Sequence, residues 1–165
     1  MAARIERLNA RHQRDEFDCG EPVLDEFLQR LAGQQQRRGF GKTYVAVAED
    51  GATVIGFVTL SAGQIATELM PSSSKLPRYP APMLRIGRLA VDRRRQAQGI
   101  GKDLLAFALH LALEFSERVG IYAVAVDAKH EKARAFYEGL GFIACVDRPL
   151  NLYLPLQTLK KSSNP

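Results

Sequence analysis

A chain of 165 residues, 46% of them hydrophobic, is long enough for one well-formed core and too short for two ordinary domains. Twenty-three Lys and Arg against 18 Asp and Glu leave a formal charge of +5, which favours a polyanionic ligand or partner but also suits a plainly solvated surface. Its two cysteines, Cys19 and Cys145, lie in neither a CxxC nor a metal-ligand spacing, which excludes a disulfide framework and fits a reducing compartment.

The first eight residues are charged from Arg4 onward and carry no apolar run or cleavage site of the kind that directs export. The most apolar long stretch, Leu104 to Phe115, is broken by His110 and Glu114 and falls short of the roughly 20 residues that a membrane span requires. A cytoplasmic protein with no membrane partner is expected.

Ile5–Leu8 predicts a short strand, and Phe17-Asp18-Cys19-Gly20-Glu21-Pro22 a turn feeding a helix with Pro22 near its first position. Three- and four-residue spacing places Val23, Leu24, Phe27, Leu28 and Leu31 on one apolar stripe of that helix, which then turns polar and basic at Gln34–Arg38. Thr43–Ala48 and Ile55–Leu60 are β-branched and apolar runs around Glu49-Asp50-Gly51, so they predict a hairpin. Between Ala62 and Pro82 four prolines and Ser72-Ser73-Ser74 interrupt any period, and an irregular stretch of that length is expected to be a loop on the substrate side.

Met83–Val91 predicts a strand in which Gly87 marks a bulge or a close backbone approach. A glycine segment, Gln96-Ala97-Gln98-Gly99-Ile100-Gly101, follows, then a helix from Ile100 to Val119 whose apolar residues occupy more than one face and predict a sandwiched helix. Ile121–Val126 predicts a buried strand, Glu131–Leu140 a helix ended by Gly139 and Gly141, and Phe142–Val146 and Leu152–Leu154 the last strands. Strands and helices interleave without an internal repeat, an α/β order.

Two segments carry chemistry. Glycines between a strand and a helix let backbone N–H groups approach an anion at the positive end of the helix, which makes Gln96–Gly101 a candidate pyrophosphate cradle; the same glycines also serve as a plain turn. The segment has neither the Gly-Lys-Ser/Thr of a nucleoside triphosphate loop nor the third glycine and acidic residue of a dinucleotide fold. On the last helix, Ala133 and Tyr137 share a face four residues apart, so a small residue leaves room where a phenol could meet a ligand, although Tyr137 beside Phe136 also reads as a core aromatic.

The two segments in this order, each after an apolar strand, resemble the GNAT superfamily of acyl-CoA N-acyltransferases over Ile5 to Leu156. The resemblance implies one domain over residues 1–165, with a mixed twisted central sheet flanked by helices, a core of about 5–156 and a flexible tail at 157–165. It implies acetyl-CoA as the acyl donor, held by Leu89, Ala90, Val91, Arg94, Arg95, Gln96, Gln98, Gly99, Ile100, Gly101 and Lys102, with the strand pairing to the pantetheine arm, and no metal. Tyr137 would then sit near the thioester sulfur as the catalytic acid, and a backbone N–H near Leu89 or Val91 would meet the oxyanion. Many such enzymes have Asn three residues before the helix alanine where this chain has His130, so the general base is open between His130 and none. His12, in a charged turn, and His110, on an apolar helix face, are no better placed.

Phe17–Leu28, Leu76–Pro82, Gly87–Asp92 and Ala135–Glu138 further resemble the toxin branch of that superfamily, of the TacT and AtaT kind. Those enzymes acetylate the α-amine of aminoacyl-tRNA, block translation and are neutralised by a ribbon-helix-helix antitoxin encoded nearby; homodimers are frequent among them. Charge is distributed to match: Arg30–Lys42 holds four basic and no acidic residues, Lys75–Arg95 seven basic against Asp92, and the first 26 residues four basic against seven acidic. Lys42, Arg78, Arg85 and Arg88 are the candidate RNA contacts. Two alternatives stay open: an acetyltransferase acting on a small amine or a protein N-terminus, and a non-catalytic acyl-CoA-binding regulator.

Overall fold

The computed structural model describes residues 3–71, 76–146 and 148–163. Among the described residues, seven strands follow the sheet order β1-β2-β3-β4-β5-β7-β6: β1 (Arg4–Arg7), β2 (Lys42–Val47), β3 (Val54–Ile65), β4 (Ala81–Val91), β5 (Ala123–Asp127), β6 (Ile143–Cys145) and β7 (Arg148–Pro155). The pairing is mixed, antiparallel for β1 with β2 and β2 with β3 and parallel for β4 with β5, which is the mixed sheet that the resemblance implies within an α/β order. The helices are α1 (Pro22–Glu26), α2 (Ala32–Arg37), α3 (Ile100–Ser116), α4 (Glu131–Gly139) and α5 (Leu156–Ser163). The chain forms two compact units, one from Met1–Ser61 with Gly87–Leu109 and the other from Ala62–Ile86 with His110–Pro165.

In the first unit the predicted β2–β3 hairpin forms around Gly51, whose φ of +73° suits a residue without Cβ. The Asp50 carboxylate closes the turn by accepting from the amides of Ala52 and Thr53, at 2.9 and 2.8 Å. The core gathers Leu8, Phe17, Leu24, Phe27, Leu28, Val45, Phe57 and Ala90, with Phe17 edge-on to Phe57 at 5.6 Å. Gly56 is demanded by packing: a Cβ there would lie 3.0 Å from Leu104 Cδ1 and 3.1 Å from Ile100 Cγ2. A side chain there would require these neighbours to give by a few tenths of an ångström.

Three expectations for the helices change. Pro22 does open α1, but Val23 is 78% exposed and Leu31 faces solvent, whereas Leu24, Phe27, Leu28 and Ala32 are buried. For Leu31 and Ala32 the reason is a π-turn over Phe27–Leu31, in which the Ala32 amide reaches back to the Phe27 carbonyl; the wider turn rotates Leu31 off the stripe and brings Ala32 onto it. The long helix α3 buries one stripe, Ile100, Leu104, Leu105, Ala108 and Ala112, and exposes Lys102, Ala106, His110 and Glu114, so it is one-sided rather than sandwiched. At the C-terminus, α5 occupies most of the stretch read as a flexible tail; residues 164–165 lie outside the described residues.

The second unit packs Met70, Ala81, Met83, Ala123, Ala125, Cys145 and Tyr153 together. Parallel pairing of Met83–Ile86 with Ala123–Val126 and antiparallel pairing of β5 with β7 supply its backbone hydrogen bonds. The stretch expected to be irregular is partly ordered: β3 continues through Ile65, and Thr67–Leu69 makes a 3-10 turn whose Thr67 hydroxyl donates to the Pro77 carbonyl at 3.1 Å. Ser72, Ser73, Ser74 and Lys75 of that stretch lie outside the described residues. No helix among the described residues is long and apolar enough to cross a membrane.

Candidate active site

The glycine segment lies in the first unit, as an exposed loop from Gln96 to Gly99 leading into α3. Two left-handed residues shape it, Ala97 at φ +65° and Gly99 at φ +84°. Such a conformation turns successive amides toward one side, and the first N–H groups of an α-helix have no partner within it. A Cβ built on Gly99 would meet nothing within 4 Å, so the backbone faces open space, while one on Gly101 would touch only Val91 Cγ2 at 3.7 Å and Leu89 Cδ2 at 4.0 Å. An anion of pyrophosphate size suits this cradle, and the 17-residue helix behind it adds its positive end.

Arg94, Arg95 and Gln96, expected to bind the cofactor, also build the loop. Asp92, 2% exposed, caps the 3-10 turn Arg93–Arg95: its carboxylate accepts from the Arg94 amide at 2.9 Å and the Asp18 amide at 3.2 Å. The Arg94 guanidinium forks onto the same carboxylate at 2.9 and 2.8 Å, and this holds the Asp92 carboxyl at about 2. Arg95 pairs with Glu49 at 3.3 Å and Arg93 with Asp18, so each arginine of the run already has a carboxylate. The Gln96 amide donates to the Val91 carbonyl at 3.0 Å, which ties the loop to β4, and Gln98 and Lys102 stay exposed. Along β4, Leu89 and Val91 face α3 at Gly101, whereas the Ala90 side chain is buried in the core and can offer only its backbone.

Tyr137 lies on α4 in the second unit, 5% exposed, with ring centroids 5.2 Å from Phe136 and 5.5 Å from Phe142. It is therefore a packed aromatic as well as a phenol, and burial pushes its pKa up to about 12. No buried side-chain nitrogen or oxygen among the described residues lacks a partner, and the phenol oxygen makes no hydrogen bond to another described residue, so this hydroxyl is the part of Tyr137 that reaches solvent. His130 N-caps α4, its Nδ1 accepting from the Ala133 amide at 3.1 Å. That contact satisfies one orphan amide and commits the nitrogen a base would use. Of the other histidines, His12 lies in its charged turn with its ring buried against Glu6 at 2.8 Å, whereas His110 is corrected to the solvent face of α3 beside Glu114.

The four candidate RNA contacts separate. Lys42 and Arg78 are exposed. The Arg88 guanidinium lies over the buried Phe27 ring at 3.7 Å, a packing role the sequence did not signal. Arg85 is paired with Asp127, which also accepts from Asn151 at 2.5 Å, and all three line a cavity of about 440 Å³ with Met83 and Cys145. Sequence reasoning missed that cluster because its members come from three strands. A second cavity, of about 510 Å³ in the first unit, is bounded by Asp92, Arg94 and Arg95 on one side and Gln13, Asp15 and Glu16 on the other. No His, Cys, Asp or Glu cluster among the described residues could hold a metal.

Comparison with known proteins bears on this geometry directly. A family model described as the acetyltransferase (GNAT) family matches residues 6–142. A tRNA-acetylating toxin of Mycobacterium tuberculosis is 35% identical over 140 residues, spanning 84% of this chain and 82% of the relative. Among solved structures, AtaT complexed with acetyl-methionyl-tRNAfMet superposes with a TM-score of 0.91 at 32% identity, covering 96% of this chain and 98% of that one. A tyrosine-to-phenylalanine variant of the AtaT toxin, bound to the C-terminus of the antitoxin AtaR and acetyl-CoA, superposes at 0.86 with 30% identity and full coverage of both chains.

Proposed function

The chain belongs to the acetyltransferase (GNAT) family, and from that premise we propose that it moves the acetyl group of acetyl-CoA to the α-amine of aminoacyl-tRNA, as the toxin of a toxin–antitoxin pair. The observation that carries the acceptor is the 35% identity to a tRNA-acetylating toxin over 84% of the chain, joined by the fit to AtaT holding its acetylated tRNA. A ribbon-helix-helix antitoxin and a homodimer complete the proposal.

In this reading acetyl-CoA supplies an activated acetyl thioester. The amides of Gln98–Lys102 and the α3 N-terminus hold its pyrophosphate, and the β4 backbone at Leu89–Val91 aligns the rest. Asp92 acts through Arg94 and the amides it caps, keeping the loop in the shape that presents those N–H groups. Tyr137 keeps its proton at neutral pH because its pKa lies near 12, which suits a donor to the leaving sulfur and not a base. The acceptor is an α-amine beside an ester carbonyl, which withdraws electron density and leaves more of it neutral near pH 7, so the commitment of His130 to capping leaves the chemistry intact.

Purified protein incubated with labelled acetyl-CoA and charged tRNA tests the proposal: label should appear on the aminoacyl group and not on deacylated tRNA. Label on proteins or small amines alone would replace the acceptor. Light scattering with and without the antitoxin reads out the assembly.

A further inference from the structure

The turn between α2 and β2 reads Arg37-Arg38-Gly39-Phe40-Gly41-Lys42. Phe40 is 64% exposed, and the Arg38 guanidinium lies over its ring at 5.3 Å. In this turn Phe40 is the single large apolar side chain, set among three exposed cations, Arg37, Arg38 and Lys42. A protein-docking patch needs contiguous apolar surface, which this tip lacks. An aromatic face with a stacked guanidinium and neighbouring cations is instead the combination that takes an unpaired nucleobase and its phosphates.

The backbone holds this tip firmly. Gly39 at φ +79° makes the turn, with its amide donating to the Gln36 carbonyl at 3.2 Å, and the Phe40 amide donates to the Gln35 carbonyl at 3.0 Å. Beyond it, a Cβ on Gly41 would lie 3.2 Å from Thr59 Cγ2, so the chain is pressed onto β3. The Gln36 side chain braces both flanks, donating to the Leu8 carbonyl and accepting from the Thr43 amide, each at 2.9 Å. Lys42 pairs in register with Leu60, and a Cβ on Gly87, next to Arg88 on β4, would lie 4.0 Å from the adjoining Thr59 carbonyl oxygen. The tip therefore stands at the end of the row from which β4 runs on to Leu89–Val91.

We infer that Arg38 and Phe40 form a stacking platform for an unpaired base of single-stranded RNA. Under the function proposed above, on which this inference rests for its biological ligand, that base belongs to the single-stranded 3′ end of the charged tRNA. Phe40 offers its ring face, Arg38 fixes the ring and adds charge, and Arg37 and Lys42 meet the phosphates. The rigid backbone means that little ordering is needed when RNA arrives.

Fluorescence anisotropy of the full chain with a labelled single-stranded RNA of about eight nucleotides ending in CCA tests this. Phe40→Ala and Phe40→Leu should weaken binding roughly 5- to 150-fold while Phe40→Trp retains it. Arg38→Ala should reduce the slope of log K against log salt by about 0.7, and acetyl-CoA affinity by calorimetry should be unchanged in all four variants. Wild-type RNA affinity in Phe40→Ala, or loss in Phe40→Ala with full retention in Phe40→Leu, would overturn the platform, the second by showing a merely apolar contact. Retained RNA binding with lost antitoxin binding in Phe40→Ala would overturn it in favour of a protein surface. The two proposals fail separately: a wild type that binds RNA through Phe40 without acetylating charged tRNA keeps the platform and loses the function. One that acetylates charged tRNA with KM unmoved by Phe40→Ala keeps the function and loses the platform.

Discussion

Asp92 shows how one residue governs the loop that is meant to bind the cofactor. Its carboxyl is held at about 2 against an ordinary 3.8, first by the Arg94 side chain and then by the amides of Arg94 and Asp18. Because the folded value is depressed, the unfolded chain takes up the proton first as pH falls. A contribution of roughly 2 kcal/mol is then fully present above about pH 4 and is lost as pH falls through about 2. Asp92→Asn should therefore be less stable than wild type in denaturant at neutral pH, with the difference shrinking toward pH 2; a difference that is independent of pH would refute the link. Tyr137 behaves oppositely, since burial alone raises its pKa to about 12. Tyr137→Phe should lower kcat by ~10²–10⁴ and leave acetyl-CoA affinity near wild type. In the parent enzyme the pH profile of kcat should show no limb from this phenol between pH 6 and about 10. Turnover of the variant within a few-fold of wild type would return Tyr137 to the role of a core aromatic.

At the scale of elements, three glycines around α3 have three different tolerances. Gly99 has a φ of +84° with open space beyond it, so Gly99→Ala pits about 1–2 kcal/mol of backbone strain against no clash. Gly101 sits in the first helical turn where a Cβ makes ordinary contacts, so Gly101→Ala should keep or slightly raise Tm. The new methyl would meet only Val91 and Leu89 on β4, so acetyl-CoA binding should stay within a few-fold of wild type. Gly56→Ala should cost about 1–3 kcal/mol, because Leu104 and Ile100 must move away from β3. Thermal melts and calorimetry on the three variants separate fold from ligand binding. The elements themselves were largely legible, because hairpin, caps and glycine breaks are local signals. The π-turn at Phe27–Leu31 was not legible, since what selects it is the burial of Leu28 and Ala32 in a core built from distant strands.

For the whole molecule, the formal charge of +5 conceals an uneven distribution, with the basic residues concentrated at Arg30–Lys42 and Lys75–Arg95. An acceptor carrying a phosphate backbone should bind with a negative salt dependence, and Lys42→Ala and Arg78→Ala should each flatten its slope by about 0.7–0.9. Arg88→Ala should act differently, destabilising the fold by about 1 kcal/mol because its guanidinium covers the Phe27 ring. Salt titration of tRNA binding together with denaturant melts distinguishes the two classes. Equal salt slopes in all three variants and wild type would remove these residues from the acceptor site.

The sequence by itself determined the order of the elements, the hairpin about Gly51, the glycine segment ahead of α3 and the helix carrying Tyr137, and with them the family. Each depends on residues adjacent in the chain or repeating at a helical or strand period, so the backbone's local preferences suffice. Only the tertiary structure decided which charged side chains are left to meet a ligand. Arg95 is joined to Glu49 across 46 residues, Arg93 to Asp18 across 75, and Arg88 covers Phe27, whereas Lys42 and Arg78 remain at the surface. An ion pair or a stacked guanidinium forms where folding brings its partners within a few ångströms, and no local pattern in the chain encodes that distance.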